Sequence, residues 1–153
     1  MTSTNTQVLF RRQAQGLPTE DDFEIVETPL PEPGPKQFLA KSLYFSLDPY
    51  MRMLMGGGWT FLGQGMTPCQ VMVGRTLGEV IESDHPGFKP GDHIIGQLGW
   101  NEYAVSDGAD LDFKVKPKEG VPPSSSMGAC GSNGTSSRFS VEVAHATKEG
   151  LIM

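Results

Sequence analysis

Apolar and polar residues alternate along much of the chain, which is the pattern of strands with one buried face. Residues 7–12 form the first such segment, and residues 23–27 alternate apolar with acidic side chains. Residues 38–47 are almost continuously apolar, so we predict a strand buried on both faces that ends in a loop at Asp48 and Pro49. Further strands are predicted at 70–74, 78–83, 93–96, 100–105 and 113–117. Short strands at this spacing favour a small β-barrel or sandwich.

The chain changes character at two places. Glycines surround large apolar residues between positions 56 and 65, which predicts a flexible loop that borders a pocket. After Pro122 the residues are rich in Ser and Gly, and residues 136–149 are the only sustained helix candidate. We therefore divide the chain into a barrel over residues 1–120 and a segment of different character over residues 121–153.

Composition and charge exclude several classes of function. The formal net charge is -6, with 12 Lys and Arg against 18 Asp and Glu, so no basic surface for nucleic acid is expected. The opening residues are polar and uncharged, and no later segment has the length of a membrane span, so we expect a cytoplasmic protein without a membrane partner. Cys69 and Cys130 are far apart and belong to no CxxC pair, which favours free thiols over a disulfide or a zinc site.

Several short motifs follow one another in a recognisable order: LDPYMR at 47–52, VGR at 73–75, GEV at 78–80, GFKPGD at 87–92 and WNEYAV at 100–105. As a set they resemble the zinc-independent medium-chain dehydrogenase/reductase family. The similar branch is that of leukotriene B4 12-hydroxydehydrogenase, prostaglandin reductase and NADPH-dependent alkenal or curcumin reductase. The resemblance implies a mainly β, GroES-like, partly open barrel with a short C-terminal helical tail.

The same resemblance places the end of the chain at the start of a cofactor domain. Members of the family bind NADPH in a separate Rossmann domain, and we expect that domain to be absent because the chain stops where its first strand would begin. On this interpretation residues 121–153 are the connecting segment and the truncated start of the cofactor domain. We expect the chain alone to be catalytically silent or nearly so, with NADP as the cofactor of the complete family member.

The reaction that the resemblance implies is hydride transfer from NADPH to the β-carbon of an enone or alkenal. The protein has to place the alkene against the nicotinamide and to donate a hydrogen bond to the developing enolate oxygen. Tyr50 matches the family's DPYM position, and a phenol is a suitable donor, so it is the predicted catalytic residue. The alternative for Tyr50 is a core tyrosine whose hydroxyl is satisfied by backbone.

Further site residues are implied in the same way. The predicted cofactor contacts are Pro49, Tyr50, Met51, Gly131, Gly134 and Ser136. The predicted substrate contacts are Trp59, Phe61 and Tyr103, for each of which plain packing is an equal alternative.

Other candidate residues have simpler explanations beside the functional ones. Asp48 is either a general acid or, as we favour, a turn cap before proline. Arg52 and Arg75 either bind an anionic substrate or cofactor phosphate or, as we favour, form ion pairs. Gly74 and Arg75 stand where zinc-dependent relatives have Gly-His, so no metal is expected and a zinc alcohol dehydrogenase fragment is disfavoured.

Two hypotheses of different classes remain. The first is the substrate-binding domain of an enone or alkenal reductase, and the second is a noncatalytic barrel that binds a small apolar ligand or a protein partner. In either case an apolar cleft around Tyr50, Trp59 and Phe61 would be exposed, so we expect self-association or a homodimer.

Overall fold

The computed structural model describes residues 4–14, 16–60, 63–116 and 119–128, and it groups the chain into two compact units, residues 1–114 and 115–153. The strands are β1 Thr4–Phe10, β2 Phe23–Pro29, β3 Phe38–Phe45, β4 Trp59–Thr60, β5 Gly63–Gln64, β6 Thr76–Ser83, β7 His93–Gly96, β8 Tyr103–Ser106 and β9 Leu111–Val115. The helices are α1 Pro49–Leu54 and two 3-10 turns at Glu20–Asp22 and Pro123–Ser126. The predicted boundary at residue 120 stays a prediction.

Most strands belong to one five-stranded sheet in the order β8-β3-β6-β7-β9. The pairs β3–β6, β3–β8 and β6–β7 are antiparallel. β1 and β2 form an antiparallel ribbon in which Phe10 lies opposite Phe23. Backbone hydrogen bonds from Val8 to Trp100, 2.9 Å, and from Glu102 to Thr6, 2.8 Å, join that ribbon to the segment before β8. The mainly β architecture that the alternating pattern predicts is confirmed.

Two hydrophobic clusters hold this unit together because alternate strand residues point to the same side. The first lies on the five-stranded sheet and contains Phe38, Ala40, Val80, Ile94, Leu98 and Ala104. The second lies beneath α1 and contains Phe10, Met51, Met55, Met66 and Met72. Four flexible methionine side chains therefore fill the space between α1 and the ribbon formed by β1 and β2.

The apolar run that we predicted as a strand buried on both faces is only half buried. Phe38 and Leu39 are at most 2% exposed, whereas Tyr44, Phe45 and Leu47 are 55%, 45% and 78% exposed. A run of apolar residues shows which side chains are hydrophobic. It does not show which of them will be covered by another element of the fold. β8 pairs with β3 only as far as Lys41. Within the described residues, the second half of β3 therefore has no neighbouring strand on the side where β8 pairs.

The loop that we predicted from Asp48 onward is instead a short helix. Asp48 is extended, as the residue before a proline should be, but Pro49 begins α1. Proline suits the first helical turn because its missing N–H would have no partner there and its φ is already helical. The proline therefore begins a helix here rather than preventing one.

Two other predicted segments differ from the structure or lie outside it. Residues 70–74 do not form a strand, since only Val71 makes an isolated bridge, to Leu9. The helix predicted at 136–149 lies outside the described residues.

Asp22 should make stability depend on acid pH. Its carboxylate accepts hydrogen bonds from the Thr19 backbone, 2.9 Å, and from Arg12 Nε, 3.0 Å. These contacts hold the pKa of Asp22 below its ordinary 3.8, although burial acts in the opposite sense. The resulting stabilisation is fully present above that unfolded-state value and is lost as the pH falls through the folded-state pKa.

We therefore expect Asp22→Asn to be less stable than wild type at neutral pH and to lose less further stability below pH 3.8. Urea denaturation at a series of acid pH values measures this. Asp21→Asn, which changes an exposed neighbour, is the matched control and should keep the acid dependence of wild type. Parallel curves for wild type and Asp22→Asn would show that Asp22 does not contribute.

Candidate active site

Tyr50 lies in the first turn of α1, where Met51 and Met55 anchor the helix in the second cluster. Its ring packs against that cluster, and its hydroxyl donates a hydrogen bond to Gln97 Oε1 at 3.2 Å. Gln97 follows β7 directly and is itself exposed. The phenol is therefore anchored at the ring and held at its oxygen by a side chain rather than by backbone.

Charged groups surround this phenol. Arg75 Nε lies 2.6 Å from Asp112 Oδ2, and both residues act electrostatically on Tyr50, as does Asp48. Burial raises the pKa of the Tyr50 phenol above its usual 10.0, although the hydrogen bond with Gln97 acts in the opposite sense. The hydroxyl is therefore protonated throughout the neutral range and can act as a hydrogen-bond donor.

A shallow apolar groove of about 280 Å³ runs beside the start of α1. Its lining residues are Phe23, Leu47, Asp48, Pro49, Met51, Met55, Met72 and Trp100. Among the lining residues that the structure describes, Asp48 is the only ionisable one. The groove suits a flat, apolar group better than a charged one.

A second, larger cavity of about 520 Å³ also has Trp100 in its lining. It is lined by Thr6, Val8, Ser42, Phe45, Leu47, Trp100, Asn101 and Glu102. Leu47 and Trp100 line both spaces. The exposed half of the β3 run thus serves as a wall of these spaces.

The Trp100 ring owes its position to a glycine. A Cβ on Gly74 would lie 2.5 Å from Trp100 Nε1 and 2.7 Å from its Cδ1, far closer than carbon atoms tolerate. The ring also stacks on Phe23, with centroids 6.1 Å apart. The missing side chain of Gly74 therefore leaves room for the indole, which lines both spaces.

The structure brings some of the predicted site residues together. Pro49 is exposed beside Tyr50 and lines the 280 Å³ groove, and Met51 lines the same groove but is only 4% exposed. Tyr103 lies on β8, where Lys41 Nζ is 5.9 Å from its ring centroid, so its described contacts are with the sheet edge and not with Tyr50.

Other predicted site residues are outside what the structure describes. The Trp59 backbone begins β4, but its side chain is not described. Phe61, Gly131, Gly134 and Ser136 also lie outside the described residues.

The sequence left two alternative roles for each of Asp48, Arg52 and Arg75, and the structure bears on each residue differently. Asp48 occupies the N-cap position of α1; its carboxylate accepts a hydrogen bond from Ser46 Oγ at 2.6 Å, and its backbone N–H donates to Met51 Sδ at 3.2 Å. Arg75 forms the predicted ion pair with Asp112. Contrary to the favoured alternative, Arg52 forms no ion pair among the described residues: its Nη2 donates to the Gly16 carbonyl at 2.8 Å, because α1 places it beside that backbone loop.

Gln97 is the member of this site that the sequence did not reveal. It is 47 positions from Tyr50 and follows an apolar strand as a single exposed polar residue. Such residues are common at strand ends, and no spacing rule connects this one with the DPYM motif. Only the fold, which places the end of β7 beside α1, brings the two side chains together.

Within residues 4–14, 16–60, 63–116 and 119–128, no three His, Cys, Asp or Glu side chains are grouped so that they could hold a metal ion. In those ranges no helix has the length and apolar character needed to cross a bilayer.

Comparison with known proteins identifies the family of this chain. Residues 6–114 match the family described as the N-terminal domain of oxidoreductase. The chain belongs to this family. It is similar to the NADPH-dependent curcumin reductase of Escherichia coli (strain K12), with 36% identity over 107 residues, which are 70% of the chain and 31% of that protein. The NADP(+)-dependent 2-alkenal reductase of Nicotiana tabacum is 33% identical over 86% of the chain and 39% of its own length.

A solved structure shows that the fold is shared as well. CurA from Vibrio vulnificus superposes with a TM-score of 0.75 and 32% identity, over 86% of the chain and 38% of CurA. Its complex with NADPH superposes with a TM-score of 0.73. The predicted GroES-like fold and the predicted branch of the medium-chain family are therefore confirmed. The chain spans between about a third and two fifths of the length of these relatives.

Proposed function

We propose that this domain supplies the substrate-binding half of an NADPH-dependent reductase that acts on the conjugated double bond of enones or alkenals. The observation that carries the proposal is the half-buried Tyr50, whose protonated hydroxyl is held by the Gln97 side chain and whose chain neighbours Pro49 and Met51 line an apolar groove. This is the arrangement that an enone needs, since it combines apolar surface for the carbon skeleton with one donor for the carbonyl oxygen.

The domain's contribution to the reaction is binding and polarisation. Tyr50 would donate its O–H to the enone oxygen, and this hydrogen bond becomes stronger as negative charge develops on the enolate. The groove wall from Pro49 to Trp100 would cover one face of the double bond with apolar side chains. No side chain has to act as a nucleophile.

The residues at the groove also fit a nicotinamide ring. Pro49 offers an exposed flat surface beside the groove, Tyr50 offers the neighbouring hydroxyl, and Met51 contributes to the floor. When bound, NADPH would supply the hydride for the β-carbon of the alkene, and a proton delivered to the α-carbon would complete the reduction. Gly131, Gly134 and Ser136 remain proposed as further cofactor contacts.

The proposal is tested by enone binding to this chain, with curcumin as the fluorescent probe. We expect saturable binding that Tyr50→Phe weakens about three- to tenfold, because one hydrogen bond contributes roughly 0.5–1.5 kcal/mol. Tyr44→Phe, which removes an exposed hydroxyl from β3, is the matched control and should bind like wild type. Equal affinity of Tyr50→Phe and wild type would contradict the proposal.

We also propose that the apolar surface of the β3 end makes this chain self-associate. Tyr44, Phe45 and Leu47 lie close together in sequence and are all at least 45% exposed. Exposed apolar patches of this kind commonly mediate association. We expect light scattering to show a mass that rises with concentration and returns toward the monomer in Leu47→Glu. A monomer at every concentration for wild type would contradict this.

A further inference from the structure

The Tyr50 hydroxyl has one proton, and in this structure that proton is already used. The phenol donates it to Gln97 Oε1 at 3.2 Å, so it is not free for an incoming carbonyl oxygen. Any enone that binds through Tyr50 has to displace this hydrogen bond or redirect it. Gln97, which accepts this proton, therefore influences how strongly the Tyr50 hydroxyl can donate to an enone oxygen.

Gln97 is well suited to redirect the bond. Its side chain is exposed, so its amide can rotate, while its backbone N–H is fixed by a 2.9 Å hydrogen bond to the Asp110 carbonyl. A carboxamide has an acceptor and two donors on the same carbon. A half-turn of the amide would replace Oε1 by Nε2–H₂ at nearly the same place, next to a lone pair of the phenol oxygen.

We propose that Gln97 is a positioning residue for Tyr50. In the resting state its carbonyl holds the phenol proton, and in the enone-bound state its rotated amide donates to the phenol oxygen while the phenol donates to the enone oxygen. This inference rests on the proposed function. A hydrogen bond donated to the phenol makes the phenol a stronger donor in turn, since chains of hydrogen bonds polarise one another.

The backbone around Gln97 is rigid enough to keep its side chain at this distance. A Cβ on the preceding Gly96 would lie 2.6 Å from the Asp110 carbonyl oxygen and 2.8 Å from Leu111 Cα, so β7 and β9 approach closely here. Arg75, which acts electrostatically on Tyr50, is paired with Asp112 at 2.6 Å. Gln97 is therefore the neutral neighbour of the phenol that can both accept and donate.

The first test is the ionisation of the phenol, measured by NMR on tyrosine labelled with ¹³C at Cζ. The chain has three tyrosines, so Tyr44 and Tyr103 serve as internal references. We expect Gln97→Met to raise the pKa of Tyr50 alone, since the contact with Gln97 lowers it. We expect Gln97→Glu to raise it further, because a carboxylate adds negative charge and cannot donate.

The second test is a double-mutant cycle for curcumin binding with Tyr50→Phe and Gln97→Met. We expect Gln97→Met to weaken binding about threefold when Tyr50 is present and to have no further effect on Tyr50→Phe. Gln97→Glu keeps the acceptor but loses the donor, so its affinity should fall at least as far. Gln70→Met, which changes an exposed glutamine in a turn, is the matched control and should bind like wild type.

The results separate this inference from the function on which it rests. Additive effects of Tyr50→Phe and Gln97→Met, or wild-type affinity in Gln97→Glu, overturn the role of Gln97 while leaving the enone site in place. Equal curcumin affinity of Tyr50→Phe and wild type overturns the enone site and the inference together, even where the phenol pKa still responds to Gln97. An unchanged phenol pKa in both Gln97 variants also overturns the inference.

Discussion

Phe10→Ala should lower the free energy of unfolding by about 3–5 kcal/mol, the usual cost of removing a fully buried phenylalanine. Phe10 is 0% exposed and lies at the centre of the cluster beneath α1, with Met51, Met55 and two further methionines around it. A loss of this size is a large part of the roughly 5–15 kcal/mol that stabilises a typical domain. Urea denaturation followed by circular dichroism measures it.

The same change should affect the site as well as the fold. The Phe10 cluster is the floor on which α1 rests, so its loss should weaken curcumin binding in the fraction that remains folded. Phe113→Ala is the matched control, because Phe113 is 41% exposed and its removal should cost about 1 kcal/mol or less. Similar losses for the two variants would contradict the assignment of the second cluster as a core.

Gly74→Ala should cost about 1–3 kcal/mol of stability and displace the Trp100 ring. The added methyl group would lie 2.5 Å from Trp100 Nε1, and the indole has Phe23 stacked on it. The ring therefore has to tilt, which changes both the groove at α1 and the 520 Å³ cavity. Denaturation gives the stability, and indole fluorescence in a Trp59→Phe background gives the movement.

A second glycine separates this steric effect from the general effect of replacing glycine. At Gly128 an added Cβ would meet nothing within 4 Å. Gly128→Ala should therefore leave stability unchanged or raise it slightly by restricting the unfolded chain. An unshifted fluorescence spectrum together with wild-type stability in Gly74→Ala would show that Trp100 does not depend on this glycine.

Strands were the part of the fold that the sequence predicted best. Alternation located β8, in which Ala104 and Ser106 are buried while Tyr103 and Val105 are only partly buried. The short helix α1 was missed because six residues after a proline carry too little periodicity to distinguish a helix from a loop. The exposure of Tyr44 and Phe45 was missed because an apolar run does not tell what covers it.

Only the part of the candidate site that lies within a sequence motif could be predicted. Tyr50 was found through the DPYM resemblance, and the structure adds the groove beside it. Gln97 and the Gly74–Trp100 contact were not found, since each depends on two segments that meet only after folding. A site assembled across β7, α1 and the turn before β6 leaves no local pattern in any one of them.

The measurement that tests the account most directly is an NMR titration of the ¹⁵N-labelled chain with curcumin. We predict saturable shifts concentrated at the Tyr50 amide, the Gln97 side-chain amide and the Trp100 indole, which surround the proposed site. Tyr103 on β8 should shift much less. Saturable shifts centred on β8, or no saturable shifts at Tyr50 and Gln97, would contradict the claim that this domain binds enones at the start of α1.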